Sequence, residues 1–329
     1  MDKILTVVVP VYKVEKYINK CLDSLIVPDE LMDQLEVIIV NDGTPDRSAE
    51  MAREYEKKYP GTFRVIDKEN GGHGSAWNKG LKEATGKYLR FLDSDDWFDN
   101  VNFVELFKRL PVCDADIVFA DMIFYYEQSS SINASKYPHL LPNKIYNADE
   151  FDWGLLGHSE EKTNFHHCTY KTSMLQPLFP LFLEKQFYDD AILFVVPIVL
   201  SKTIVYYPGV LYNYLIGREG QSMFKNTMIK RYKDMERVIK SQVSFVNNHH
   251  VSSVGKQEKI SQILSTMIMK HWQLLSFIPY SDSKTELKEW KKFIEKEYPI
   301  CTKSKLMRLY SILPFPIYWN VVNKFLKNE

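Results

Sequence analysis

Tyr88-Leu89-Arg90-Phe91-Leu92-Asp93-Ser94-Asp95-Asp96 is an apolar run that ends in three carboxylates within four residues. The run reads as a buried strand, so the acids fall at the carboxyl end of a sheet strand. Carboxylates packed that closely repel one another, and a hard divalent cation with oxygen ligands relieves the repulsion. In an open α/β sheet the crevice beyond the strand ends is also where ligands bind. The stretch therefore points to a cation-assisted site, with an acidic cap on a following helix as the plainer alternative.

The first hundred residues alternate between two periodicities. Residues 4–9 are a β-branched run closed by Pro10, and 14–25 carry a helical stripe of Val14, Tyr17, Ile18, Cys21, Leu22 and Leu25. A second buried strand over 35–40 ends in Asn41-Asp42-Gly43, and a helix is expected over 45–58 with Thr44 as its N-cap and Pro45 at its first position. A third strand covers 63–67, Ala76, Trp77, Gly80, Leu81 and Ala84 form another helical face, and Gly86 stops it before the fourth strand. Such alternation predicts a parallel sheet with right-handed crossovers. Further strands are expected over 116–125 and 203–207, a loop over 128–144, a short helix over 149–156 and a helix over 189–200. Past residue 224 the spacing is helical, as in 228–246 and 260–277. The expected fold is α/β, a Rossmann-like, mainly parallel central sheet flanked by helices. A first domain (1–224), in two halves over 1–110 and 111–224, precedes a mostly helical region (225–329).

The 329 residues carry 42 Lys+Arg against 42 Asp+Glu, without the basic excess of a nucleic-acid binder. Cys21, Cys113, Cys168 and Cys301 are isolated, which argues against a disulfide framework or a zinc site and for reduced thiols. No uninterrupted apolar stretch has a membrane-spanning length of about 18 residues. The start lacks the long apolar region of a signal peptide, so a cytoplasmic location is expected. Residues 303–327 crowd Leu, Ile, Phe, Tyr and Trp between flanking lysines. That segment suits peripheral contact with an anionic membrane at its inner face, or packing on the helical region or on a partner.

Four segments read in order are Val9-Pro10-Val11-Tyr12 with Glu15, Val40-Asn41-Asp42-Gly43-Thr44-Pro45-Asp46, Asn70-Gly71-Gly72 through Asn78-Lys79-Gly80, and Phe91-Leu92-Asp93-Ser94-Asp95-Asp96. Together they resemble the family 2 glycosyltransferases of the GT-A fold. The resemblance implies inverting transfer of a sugar from a nucleoside diphosphate, usually of uridine, to an acceptor hydroxyl on a glycan or lipid-linked saccharide, with Mg²⁺ or Mn²⁺. By that resemblance Asp93 and Asp95 are the DxD element, Asp95 as direct metal ligand and Asp93 on the ribose or a metal-bound water. Pro10, Val11, Tyr12 and Glu15 line the nucleotide. Asp42 accepts from a base N–H, with helix capping as its alternative. The Asn70-Gly71-Gly72 loop offers amides to phosphate. The family's usual Arg before Asn78 is Trp77 here, so Lys79 or His73 is left to meet the diphosphate.

The same resemblance places the general base at Asp190, with Asp189 where the family has Glu; a helix-capping acid is the alternative. Tyr212-Asn213-Tyr214 through Ser222 resembles a segment that closes over the diphosphate, with Arg218 and Ser222 as donor contacts. His166 and His167 fall on the acceptor side or in the core. A second reading keeps the fold without turnover, as an inactive glycosyltransferase-like binding subunit of a glycan-synthesis complex. The intact Asp93, Asp95 and Asp190 argue against it.

Overall fold

β1 (Leu5–Val11) is buried at all its positions, as a strand covered on both faces is. It pairs in parallel with β2 (Leu35–Asn41) on one side and β4 (Tyr88–Phe91) on the other, and β3 (Phe63–Asp67) extends the parallel set beyond β2. Between these strands run α1 (Ile18–Asp23), α2 (Asp29–Met32), α3 (Ser48–Lys58) and α4 (His73–Glu83). The chain steps outward from β1 to β3, then α4 carries it back across the sheet to β4. The order therefore reverses between β1 and β4, and such a switch point opens a crevice at the carboxyl ends of the strands. The computed structural model describes residues 2–127, 131–157, 160–217 and 225–299.

α4 lies close on the sheet because position 80 is glycine: a Cβ there would fall 2.2 Å from Val8 Cγ1. Trp77, on the same helix, is fully buried against Phe91, Phe165 and Phe182, with ring centroids 4.4, 4.7 and 5.1 Å away. The residue that departs from the family pattern is thus the centre of an aromatic cluster under the site.

The second half adds β5 (Trp97–Phe98), α5 (Asn100–Arg109), β6 (Ile117–Tyr126), β7 (Ser131–Ser135), β8 (Ile145–Asn147), β9 (Cys168–Lys171), α6 (Thr172–Leu175), α7 (Val196–Leu200) and β10 (Thr203–Ile216). The full order is β3-β2-β1-β4-β9-β6-β10-β5, with β7 on β6 and β8 on β10. β9 runs antiparallel to both β4 and β6, and β10 runs parallel to β6. Helices α8 (Lys225–Lys230), α9 (Tyr232–Asn247), α10 (Val254–Ser276) and α11 (Tyr280–Glu297) follow. Val238, Ile239 and Val243 of α9 and Ile260, Ile263, Leu264 and Ile268 of α10 belong to the buried core. No described helix is long and apolar enough to cross a membrane. The amphipathic segment 303–327 lies outside the described residues.

Several boundaries differ from expectation, for local reasons. The helix expected over 45–58 begins at Ser48, because Asp46 Oδ1 accepts from the Ser48 amide (3.2 Å) and hydroxyl (2.6 Å). The stripe over 14–25 is regular helix only from Ile18 to Asp23. The chain after Asp96 forms β5 before α5, which Asp99 caps by accepting from the Asn102 amide at 2.9 Å. The loop expected over 128–144 contains β7, antiparallel to β6. Residues 189–200 divide into a 3₁₀ turn (Asp189–Phe194) and α7, where Pro197 lacks the N–H that a continuous helix would need. β10 runs on past 207, through a register shift near Gly209, and takes Tyr212 to Tyr214 into the sheet instead of a loop.

Candidate functional site

Leu92 still bonds to Val8 (N···O 3.0 Å), so the acidic turn leaves the sheet at the switch point. Asp96 is buried, and its carboxylate accepts from the Tyr212 hydroxyl (2.6 Å) and the Leu215 amide (2.8 Å). Tyr212 Oη also accepts from the Asp93 amide at 3.3 Å, so β10 clamps the turn from one side. Burial, and then the charges of Asp95 and Asp93, push the Asp96 carboxyl well above the usual carboxylate range. A buried carboxyl pushed up by like charges is the electrostatic setting that a cation relieves.

His166 stands beside these acids, its ring packed on Phe165, Tyr212 and Tyr214 with centroids 3.8, 4.7 and 4.8 Å away. Both ring nitrogens are buried and have no hydrogen-bond partner among the described residues. Burial lowers its pKa to about 3, against the pull of Asp93, so the ring is neutral and keeps a lone pair. One ligand atom from each of Asp93, Asp96 and His166 lies within 4.8 Å of the others, a set of two oxygens and an imidazole nitrogen that suits a divalent cation. Asp95, expected as the direct ligand, contributes no atom to this group.

The two histidines part ways. His167 is in the core, with Nδ1 at 2.8 Å from the Ala120 carbonyl and Nε2 at 3.0 Å from Ser135 Oγ. Of its two expected places, the acceptor side and the core, those contacts give the core. His166 is fixed from below by Arg90, which donates to the His166 carbonyl (2.5 Å) and to Thr169 Oγ1 (2.7 Å). Arg90 is fully buried; sequence reading passed over it, and the signal that could have found it is a cation inside an otherwise apolar strand run.

At the ends of β1 and β2, Asp42 is buried and accepts from Lys68 Nζ (2.6 Å) and from the amides of Gly71 and Gly72 (2.9 Å each). Asn70 Nδ2 donates to the Asp42 carbonyl at 2.9 Å. The glycine loop is therefore wired to β2, and these two amides, expected to face phosphate, are bound to Asp42. Pro10 and Val11 are buried in β1, and Tyr12 is exposed at the same edge. Glu15 accepts from the Arg47 amide at 3.2 Å, while its own amide donates to Asp46 at 3.2 Å, so it locks the β1 turn onto the start of α3. Lys79 is not brought to the site. It pairs with Glu83 at 2.8 Å, and Glu83 also meets Arg64 at the start of β3, toward the opposite edge of the sheet. Arg218 and Ser222 lie outside the described residues.

The Asp189-Asp190 turn faces the acidic cluster. Tyr188, just before it, holds φ 64° and ψ 17°, a left-handed backbone that costs a non-glycine residue on the order of 1 kcal/mol or more. Asp189 is 2% exposed, and its Oδ2 accepts from His73 Nδ1 at 3.0 Å; His73 Nε2 reaches Asp93 Oδ1, also at 3.0 Å. Burial alone would depress the His73 pKa, but Asp189 and Asp93 overcome it and hold the ring well above the ordinary imidazole range. From behind, α9 braces the turn: Asp234 accepts from the Phe187 amide (3.2 Å), and Gln242 donates to the Ala191 carbonyl (2.9 Å). Burial first, and then the charges of Asp189 and Asp93 opposed by His73, raise the Asp190 carboxyl to about 7. A carboxylate that titrates near neutrality is matched to general-base work.

Gly74 makes the close approach possible. A Cβ there would lie 2.3 Å from the Leu183 carbonyl oxygen and 2.8 Å from Asp189 Oδ2. Gly74→Ala is therefore expected to cost about 1–3 kcal/mol by overpacking, a drop of about 2–4 °C in Tm per kcal/mol. Thermal denaturation checks this, and an unchanged Tm would mean that the turn is not packed as described.

The family model for glycosyl transferase family 2 matches residues 6–177. The uncharacterised glycosyltransferase EpsJ of Bacillus subtilis (strain 168) is 38% identical over 150 residues, 46% of this chain and 42% of that protein. The minor teichoic acid biosynthesis protein GgaB of the same organism is 29% identical over 324 residues, 91% of this chain and 33% of its own length. The chain thus spans less than half the length of these two relatives. Among solved structures, S. aureus TarS 1-349 in complex with UDP is similar with a TM-score of 0.65 at 18% identity, covering 86% of this chain and 78% of that one. The mannosyltransferase PcManGT of Pyrobaculum calidifontis, in complex with GDP-Man and Mn²⁺, is similar at a TM-score of 0.54 and 15% identity, covering 100% of this chain and 89% of that one. These two structures share the GT-A-type fold built here around the β1–β4 switch point. On the match across residues 6–177, the chain belongs to glycosyl transferase family 2.

Proposed function

We propose that the protein is an inverting glycosyltransferase that moves a sugar from a nucleoside diphosphate sugar, with uridine as its base, to an acceptor hydroxyl on a growing glycan. The observation that carries this reading is the nearness of the Asp93–Asp96–His166 group to Asp190, a carboxyl that feels the charge of Asp93 and is raised to about 7. The first can hold a divalent cation and the second can take a proton at neutral pH. The UDP bound by TarS supports uridine as the base. The similarity to GgaB, named for teichoic acid biosynthesis, supports a cell-envelope polymer as the acceptor class.

In the proposed reaction the acceptor oxygen attacks the anomeric carbon from the face opposite the diphosphate. The bond from that carbon to the diphosphate oxygen breaks, and the hydroxyl proton passes to an Asp190 oxygen. Attack from the opposite face inverts the anomeric configuration. Asp93 and His166, with Asp96 behind them and Asp95 half-buried, are the residues that would hold Mg²⁺ or Mn²⁺. When bound, that ion supplies charge neutralisation for the diphosphate. Asp42, Tyr12 and the Asn70-Gly71-Gly72 loop form the nucleotide end, and α9 keeps the base turn in place. The helical region beyond residue 224 acts on this reading as a brace for the base.

A thermal-shift screen of nucleotides and nucleotide sugars, with and without Mn²⁺, tests the donor assignment. UDP with Mn²⁺ should raise Tm through mass action, by about 2.7 kcal/mol of stability at a hundred times its Kd. GDP, ADP and CDP should do less. Stabilisation by another base alone would replace uridine, and no nucleotide effect at all would count against the transferase reading. NMR of the product's anomeric proton tests inversion.

A further inference from the structure

The charges of the chain balance overall, but residues 225–240 hold six basic residues against two acidic ones. Lys233 and Lys240 are taken up by Glu286 (2.9 Å) and Glu236 (2.5 Å). Arg231 and Arg237 both turn to one buried carboxylate, Asp234, in the first turn of α9. The two arginines are not equivalent. Arg237 makes the closer ion pair with Asp234, and its Nε donates to Gln186 Oε1 at 3.0 Å. Asp234 also accepts from the Phe187 amide at 3.2 Å, so it is satisfied without a second guanidinium. Arg231 stands off from it at 3.8 Å, with half of its side chain in solvent. Its guanidinium lies over the Phe187 ring, 4.7 Å from the centroid. A guanidinium held against an aromatic ring is pre-oriented and keeps N–H groups for an oxyanion. Phe187 is three residues before Asp190, and the charges of Arg231 and Asp190 both act on the Tyr188 hydroxyl. Lys230, just before Arg231, and Lys185, two residues before Phe187, are exposed as well. A positive group thus stands beside the base turn, whereas Asp93, Asp95, Asp96, Asp189 and Asp190 are all acids and repel an anionic acceptor that lacks a counter-charge.

We propose that Arg231, stacked on Phe187, binds a phosphate group of the acceptor, so that the hydroxyl presented to Asp190 belongs to a phosphate-bearing chain. The proposal rests on the reading of Asp190 as the base. A phosphate ester offers several oxygens to a planar fork and draws on more than one cation, which Arg231 with Lys230 and Lys185 supplies. An arginine present only for the fold would not serve here, because Arg237 and the Phe187 amide already hold Asp234.

The test uses the full chain with saturating UDP and Mg²⁺, which fill the donor phosphate positions, and follows glycerol 1-phosphate and glycerol by ligand-observed NMR. The wild type should bind the phosphate ester and leave glycerol unbound. Arg231→Gln should weaken the ester by about 10-fold, the scale of one charge-assisted hydrogen bond, with a Tm close to wild type. Arg231→Lys, which keeps the charge without the fork, should recover part of the affinity. Lys108→Gln removes an equal charge from an exposed site on α5 and should leave ester binding as it is. Equal binding of glycerol, full ester binding in folded Arg231→Gln, or an equal loss in Lys108→Gln overturns the proposal. So does displacement of the ester by UDP, which would give Arg231 to the donor diphosphate instead. Arg231-dependent flotation with phosphatidylglycerol vesicles, without binding of the soluble ester, would make the patch a membrane contact and also overturn it. Should the Gln variant fail to fold, the Lys variant carries the comparison, with a smaller loss of the same sign. If the wild type binds no UDP, the nucleotide reading fails by itself, and the Arg231 dependence of ester binding, measured without UDP, still decides the proposal.

Discussion

Asp190→Asn is expected to lower sugar transfer by about 10²–10⁴-fold, the usual contribution of a positioned general base, while leaving donor binding in place. The variant should also be more thermostable than the wild type at pH 8. The sign follows from linkage. Burial, and then Asp189, raise the folded-state carboxyl from 3.8 to about 7, so the fold favours the protonated form. The stability this contributes is fully present below about pH 4 and is lost as pH rises through 7. Above pH 7 the wild type carries a partly buried charge that Asn lacks, so the gain in Tm should appear at pH 8 and vanish near pH 4. Wild-type kcat/KM should fall on the acid side with an apparent pKa of about 7. Normal transfer in Asp190→Asn, or an acid limb near 4, would remove Asp190 as the base.

Removal of the cation is expected to have an effect of similar size. Chelation should suppress transfer by about 10²–10³-fold, as loss of electrostatic stabilisation of a departing group does, and added Mn²⁺ should restore it. Asp93→Asn should show the same loss without recovery. His166→Phe fills the same space among Phe165, Tyr212 and Tyr214 but offers no nitrogen. It should weaken Mn²⁺ binding by about 10–100-fold, the scale of a lost ligand-shell contact. Titration calorimetry measures this independently of turnover. Full Mn²⁺ affinity in His166→Phe would exclude the histidine from the site and leave the acids alone to hold the ion.

The parallel half of the fold was legible because its central strands β1, β2 and β4 are almost wholly buried and read as mainly apolar runs. The Val-rich β1 and the run ending at Asp93 needed nothing beyond local pattern. β7 was not legible: Ser131-Ile132-Asn133-Ala134-Ser135 is a polar edge strand whose order comes from pairing with β6. Nor was the length of β10, since Pro208-Gly209 reads as a stop, and only the register shift against β6 lets the strand continue.

At the site, the acidic turn follows the end of the apolar run, which local pattern shows, whereas the Asp189-Asp190 turn, singled out only by resemblance, meets it through His73. Which acid faces inward is a matter of turn geometry and long-range partners. Asp96 is drawn in by Tyr212 and Leu215, more than a hundred residues away, while Asp95 stays half-buried. Lys79 was misplaced because six residues along α4 carry it from the crevice toward Glu83 and Arg64. The contact of His73 with Asp189 spans 116 residues, which no spacing in a single sequence displays.

The most direct test of a cation-assisted donor site at the β1–β4 switch point is a crystal soaked with Mn²⁺ and UDP and measured at the manganese absorption edge. An anomalous peak within coordination distance of Asp93 and His166, touching the diphosphate and facing Asp190, is the predicted result. A manganese peak elsewhere, with the diphosphate bound away from Asp93, would contradict the account.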